Sequence, residues 1–277
     1  MDYVELNIPI TDAEQAEILT AYLADFPFES FTQETSQLKA YIPQERLADC
    51  KEQIDSLLGD EGVEGYRYVS IETQNWNALW ESNFQPVDVD GRIYIRAPFH
   101  QQPQGDVMDV VIMPKMSFGT GHHATTHLMS AAIADMNVEG KCGLDMGSGT
   151  GVLAIIAAMR GAKQVDAVDI DEWADENCRE NIVTNGVADR INPILGDASV
   201  IEGRHYDFIL ANINRNILLA DMPRYKATLT EGGVLLMSGV LECDIQSIVT
   251  RAEELGMSHV ESRLRNGWAV IKVVNSR

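Results

Sequence analysis

Leu144-Asp145-Met146-Gly147-Ser148-Gly149-Thr150-Gly151 runs straight into the apolar stretch 152–159. A short apolar run, three alternating glycines and a helical stretch read as strand, tight turn and helix. Glycine lets a ligand approach the backbone, and a helix start offers N–H groups with no internal partner. Outward from this stretch, strand-like runs alternate with helical segments at 109–113, 142–146, 165–169, 192–195, 208–211, 234–238 and 269–274. Near-continuous apolar strands separated by helices predict an α/β domain: a mainly parallel seven-stranded sheet, covered on both faces, with its ligand at the C-terminal strand edge.

The glycine turn alone leaves the ligand open, because dinucleotide-binding folds use one too, and Gly149, Gly151 and Ala154 satisfy G-x-G-x-x-A. Its surroundings discriminate. Asp145 stands two residues before the first glycine, Gly147, where a carboxylate would repel a pyrophosphate and welcome a cation. S-adenosylmethionine carries an ammonium and a sulfonium and no phosphate. The next strand ends in Asp169, 22 residues beyond Gly147, where a carboxylate can accept hydrogen bonds from a ribose diol. The third ends at Asp197, a candidate acceptor for an adenine amino group, and the fourth at Asn212. Asp145/Gly147, Asp169, Asp197 and Asn212 on four successive strand ends resemble a Rossmann-like class I S-adenosylmethionine-dependent methyltransferase domain.

Just upstream lies Met116-Ser117-Phe118-Gly119-Thr120-Gly121-His122-His123-Ala124-Thr125-Thr126-His127. It reads as a glycine-hinged loop over the ligand, with Thr125 or Thr126 capping the following helix. His122, His123 and His127 raise a metal reading, but HExxH is absent and no third ligand is apparent, so no metal is expected.

The first 71 residues follow the order βαββαβ, the split arrangement of a small α+β ferredoxin-like domain. Val4, Leu6, Ile8 and Ile10 share one strand face. Thr11 or Asp12 can cap a helix with Ile18, Leu19, Tyr22, Leu23 and Phe26 on its apolar side, stopped by Pro27. A second helical stretch, 44–58, ends at Gly59. With no catalytic cluster, this is read as a recognition module. Residues 72–105 read as a connector, with a short helix around Trp76 and Trp80, and 106–277 as the methyltransferase domain.

Composition narrows the partners. The chain has 277 residues and a net charge of −21, and residues 1–70 hold 15 acidic against four basic side chains. Such a surface lacks the basic footprint that RNA or DNA demands and suits a basic partner. No apolar run approaches the roughly 18 residues of a membrane span, and the acidic start does not resemble a signal peptide, so a cytoplasmic location with no membrane contact is expected. Cys50, Cys142, Cys178 and Cys243 show no metal or redox spacing.

The loop FGTGHHATT, the core motifs LDMGSGTG, VDID, LGD and LANI, and the connector NWNALWESNFQP together resemble the bacterial methyltransferases of ribosomal protein L-eleven (L11) over nearly the whole chain. The resemblance implies S-adenosylmethionine as cofactor and lysine side-chain or N-terminal amines of that basic protein as substrate. It implies that Thr126, Gly147, Asp169 and Asn212 hold the cofactor; Phe118, Asp145, Gly149 and Asp197 are further cofactor-binding candidates from their places in the loop, the glycine turn and the strand ends. Asn212 is the candidate catalytic residue, since its side-chain oxygen can accept an amine N–H and aim the lone pair. Ile213-Asn214 follow it, so the Pro-Pro-aromatic platform that stacks a planar amide or base is missing. Two other readings are a methyltransferase of another protein lysine or small amine, and a non-catalytic cofactor-binding adaptor.

Overall fold

The computed structural model describes residues 3–71, 84–115 and 118–276, which fall into two compact units divided after Asn83. The helix expected around Trp76 and Trp80 lies outside the described residues.

The first unit contains β1 (Tyr3–Pro9), α1 (Ala13–Leu23), β2 (Ser30–Glu34), β3 (Gln37–Pro43), α2 (Gln44–Asp60) and β4 (Arg67–Ile71). Its antiparallel sheet has the order β2-β3-β1-β4, so each helix crosses over a strand lying between the two it joins. Alternation sends Val4, Leu6 and Ile8 and their neighbours Leu38, Ala40 and Ile42 to one face, against Ala16, Leu19 and Leu23 of α1 and Leu47, Cys50, Ile54 and Leu58 of α2. Asp12 is the cap, its Oδ1 accepting the Gln15 N–H at 2.9 Å. Ile18 and Tyr22, expected on the inner face, are 43% and 44% exposed, because the buried stripe is Ala16, Leu19 and Leu23. Gly59 lies within α2 rather than after it.

The second unit opens with a three-stranded sheet, β5 (Val87–Val89), β6 (Ile93–Arg96) and β7 (Met108–Val111). Val89, Ile93, Ile95 and Val110 are buried in the main core. The stretch expected as connector up to 105 is therefore core structure in its second half. Arg96 is buried and forms a two-pronged ion pair with Asp109, Nε to Oδ1 at 2.7 Å and Nη2 to Oδ2 at 3.0 Å, fastening β6 to β7.

There follow α3 (Ala124–Asp135), β8 (Cys142–Met146), α4 (Val152–Met159), β9 (Gln164–Asp169), α5 (Glu172–Thr184), β10 (Ile191–Leu195), β11 (Tyr206–Asn212), α6 (Arg215–Thr228), β12 (Leu229–Leu241), α7 (Ile245–Glu254), β13 (Met257–Arg265) and β14 (Trp268–Asn275). The seven-stranded sheet has the order β10-β9-β8-β11-β12-β14-β13, parallel from β10 to β12 and antiparallel at β14 and β13. Seven strands were expected, but one member differs: 109–113 belongs to the small sheet, and β13 takes the seventh place. Within β11, Phe208 and Leu210 join the core on one face, and Ile209 and Ala211 the core on the other. Strand order reverses between β9, β8 and β11, which opens a crevice at their C-terminal ends.

Candidate active site

The glycine turn is built by backbone that other residues could not adopt. Gly147, Gly149 and Gly151 have φ of 72°, 54° and 78°. A Cβ on Gly147 would lie 2.4 Å from the Ile213 side chain, and one on Gly149 2.3 Å from the Phe118 carbonyl oxygen. Gly147 and Ser148 N–H groups both donate to the Val168 carbonyl, at 2.8 and 3.0 Å. The upstream loop docks on the same turn: the Thr150 N–H donates to the Phe118 carbonyl at 2.9 Å and its hydroxyl to the Gly119 carbonyl at 2.8 Å.

Between the two lies a crevice of about 490 Å³, within the ordinary range for a small-molecule site. Phe118, Gly147, Gly149, Asp169, Asp197 and Asn212, contributed by five separate segments, all line it. Asp169 Oδ2 accepts the Gly149 N–H at 2.8 Å and Oδ1 the Asp171 N–H at 3.1 Å, which fixes the carboxylate at the rim. Asp197 caps the short turn Ala198–Ile201, its Oδ1 accepting the Ser199 N–H and hydroxyl, and these bonds hold its carboxyl below the usual range.

Thr126 and Asp145 do not line the wall. Both are buried, and each keeps one side-chain oxygen without a partner among the described residues. Asp145 Oδ2 accepts the Ala154 N–H at 3.1 Å, at the start of α4. Burial pushes its carboxyl up to about 7, opposed by the Ala154 bond and helped by the charge on Asp169. Asp145 is thus buried beside the glycine turn, with Oδ2 on the start of α4. Neither Thr125 nor Thr126 caps α3. His123 does, its Nδ1 accepting the Thr125 N–H at 3.3 Å, and both threonines fall within the first turn.

The three histidines face different partners: His122 Nε2 the Gln85 carbonyl at 2.7 Å, His123 Nδ1 the Thr125 hydroxyl at 2.7 Å, and His127 Nε2 the Asp90 carboxylate at 3.4 Å. Among the described residues no group of three or more His, Cys, Asp or Glu side chains is arranged to hold a metal ion.

Sequence reading missed Ile170, Ile213, Ile217, Asp171 and Asp221, which also line the crevice. Ile170 had a signal, an apolar residue directly after a strand-end acid, and it stands 72% exposed on the crevice rim. The lining contains Asp169, Asp171, Asp197 and Asp221 and no Lys or Arg. Apolar walls, carboxylates and no cation fit a positively charged, phosphate-free nucleoside and disfavour a pyrophosphate. Asn212 adds a buried Oδ1 with no partner among the described residues, an acceptor that a bound group can satisfy.

The parallel sheet, glycine turn and acid-lined crevice define a class I S-adenosylmethionine-dependent methyltransferase. Comparison with known proteins agrees. The family model described as ribosomal protein L11 methyltransferase (PrmA) matches residues 6–276. A ribosomal protein L11 methyltransferase of Porphyromonas gingivalis is 43% identical over 92% of this chain and 89% of its own. One from Bacteroides fragilis is 42% identical over 99% of this chain and 100% of its own. The crystal structure of a ribosomal protein L11 methylase from Lactobacillus delbrueckii subsp. bulgaricus superposes with a TM-score of 0.65 at 25% identity, covering 70% of this chain and 100% of that one. The chain belongs to the ribosomal protein L11 methyltransferase family, and it is an enzyme that uses S-adenosylmethionine to methylate that ribosomal protein.

Proposed function

We propose that the chain methylates lysine side-chain amines, the N-terminal amine, or both, of L11, and that Asn212 orients the accepting nitrogen. The observation that carries this reading is the buried Oδ1 of Asn212, a crevice-lining residue, which has no partner among the described residues. Bound S-adenosylmethionine supplies an activated methyl carbon. The chain's own groups hold and aim: Asp169 accepts from the ribose diol, Asp197 from the adenine amino group, the Gly147 and Gly149 backbone lets the ligand lie close, and Phe118 closes one side. Thr126 and Asp145 each have a side-chain oxygen without a partner among the described residues and offer it to the cofactor. Asn212 accepts an N–H of the incoming amine, so that its lone pair points along the line of transfer. A lysine amine with pKa near 10.4 must lose a proton first, at roughly 4 to 5 kcal/mol at pH 7. An α-amino group near pKa 8 faces a much smaller cost.

The first unit, residues 1–71, serves as a ferredoxin-like recognition module for this basic substrate, joined through a connector to a catalytic unit that starts at Phe84. Its βαββαβ order and acidity support that role. No helix among the described residues is long and apolar enough to cross a membrane. The enzyme works in the cytoplasm on protein rather than nucleic acid, in keeping with the −21 charge.

The test is transfer of a labelled methyl group to purified L11. Asn212→Ala should lower turnover at least tenfold, roughly the effect of losing a transition-state hydrogen bond, with the fold intact by circular dichroism. Unchanged turnover removes Asn212 from the mechanism.

A further inference from the structure

Helix α5 and the residue that follows it carry three asparagines one turn apart, Asn177, Asn181 and Asn185. The first two are 0% and 1% exposed. A buried primary amide is costly unless both its oxygen and its nitrogen find partners. Here they do. Asn185 Oδ1 accepts the Val111 N–H at 2.9 Å, and its Nδ2 donates to the Val111 carbonyl at 2.7 Å. Asn181 Oδ1 accepts the Met113 N–H at 2.9 Å, and Asn177 Nδ2 donates to the Met113 carbonyl at 3.4 Å. Four residues of helix rise about 6 Å and two residues of strand about 6.6 Å, so a ladder of asparagines at this spacing can pair with alternate residues of an extended chain. The stripe takes the place of a neighbouring strand beside β7 and its continuation.

Asn181 differs from the other two in what it joins. Its Nδ2 donates to the Thr150 carbonyl at 3.0 Å as well as to Asn177 Oδ1 at 3.1 Å. Thr150 sits between Gly149 and Gly151 and itself bonds the Phe118 and Gly119 carbonyls. One buried amide thus joins Met113, five residues before Phe118 in the chain, to the Thr150 carbonyl inside the glycine turn, without lining the crevice itself.

We propose that Asn181 is a positioning residue for the cofactor, setting the separation between the Phe118 wall and the Gly149 wall. This rests on the reading of the crevice as the S-adenosylmethionine site. The test is calorimetric titration of S-adenosylmethionine into the full-length wild type, Asn181→Leu, Asn181→Asp and Asn185→Leu, with thermal unfolding and L11 methylation measured on the same preparations. Wild-type binding examines the crevice reading alone, and its absence overturns that reading and this proposal with it. Given wild-type binding, both Asn181 variants should weaken Kd about five- to tenfold, the scale of one hydrogen bond, and raise KM for the cofactor with kcat at saturation within about twofold. Asn181→Asp keeps the acceptor for Met113 and deletes the donor to Thr150, which covers the case where the leucine variant does not fold. Asn185→Leu should lower the melting temperature yet leave Kd within about twofold, since Asn185 does not bond the glycine turn. Wild-type Kd in the Asn181 variants, or equal weakening by Asn185→Leu, makes the residue scaffold alone and overturns the proposal.

Discussion

Asp145 is enclosed by the fold, with one oxygen on the Ala154 N–H at 3.1 Å and the other without a partner among the described residues. Burial lifts its carboxyl from 3.8 to about 7, so the native state holds this proton more tightly than the unfolded chain does. Between those two values the unfolded chain binds fewer protons, and stability falls as pH rises through the window, with the whole penalty present above it. Asp145→Asn keeps an acceptor for Ala154 and removes the charge. Its melting temperature should exceed the wild type's at pH 8, and the advantage should vanish near pH 4. A difference independent of pH would show that ionisation of this carboxyl is not the cause. The same residue shows where a reading of side chains in order stops short. An acid two residues before the first glycine was legible, but whether it faces the ligand or lies beneath the turn depends on the path of α4, which supplies the N–H that it caps.

Strand β8 is squeezed at Gly143, which pairs in register with Phe208 of β11. A Cβ on Gly143 would stand 2.1 Å from the Phe208 ring, so Gly143→Ala should destabilise the protein by about 1 to 3 kcal/mol through overpacking. Gly59, inside α2 with nothing within 4 Å of its would-be Cβ, makes the contrast: alanine there should stabilise by about 0.5 to 1 kcal/mol. Denaturant unfolding of the two variants checks both signs, and a loss of stability in both would mean that space is not what separates them. Elements whose two faces are buried were readable as apolar runs, and β8 begins and ends where expected. β13 was not, because it is an edge strand with exposed and charged residues along most of its length. β7 was readable as a strand but not as a member of the right sheet, since its outer edge at Val111 is satisfied by the side chain of Asn185, just after α5, rather than by backbone.

The whole molecule carries a charge of −21, of which −11 falls on residues 1–70. A field of this sign attracts a basic substrate, whereas the cofactor, with a single net positive charge, meets its carboxylates in a crevice lined by residues 118 to 221. Removing residues 1–71 should therefore abolish methylation of intact L11 while leaving the Kd for S-adenosylmethionine within about twofold. Labelled-methyl transfer and calorimetry on the truncated protein separate the two quantities. Full activity on the intact substrate would place recognition in the catalytic unit instead.

From residue order alone come the alternation of strand and helix, the glycine turn, and the acids and amide at four strand ends, because hydrophobic period and backbone permissiveness are local properties. Those same residues also identify the cofactor class, since its charge selects for carboxylates and against basic groups. Only the tertiary structure decides that Thr126 and Asp145 are buried, that Ile170 stands on the crevice rim, and that Asn181 joins Met113 to Thr150. Burial and hydrogen-bond partnership are set by segments 31 to 68 residues apart, such as Gly119 with Thr150 and Met113 with Asn181. No local pattern encodes such distances, because the partners meet only once the sheet has brought them together.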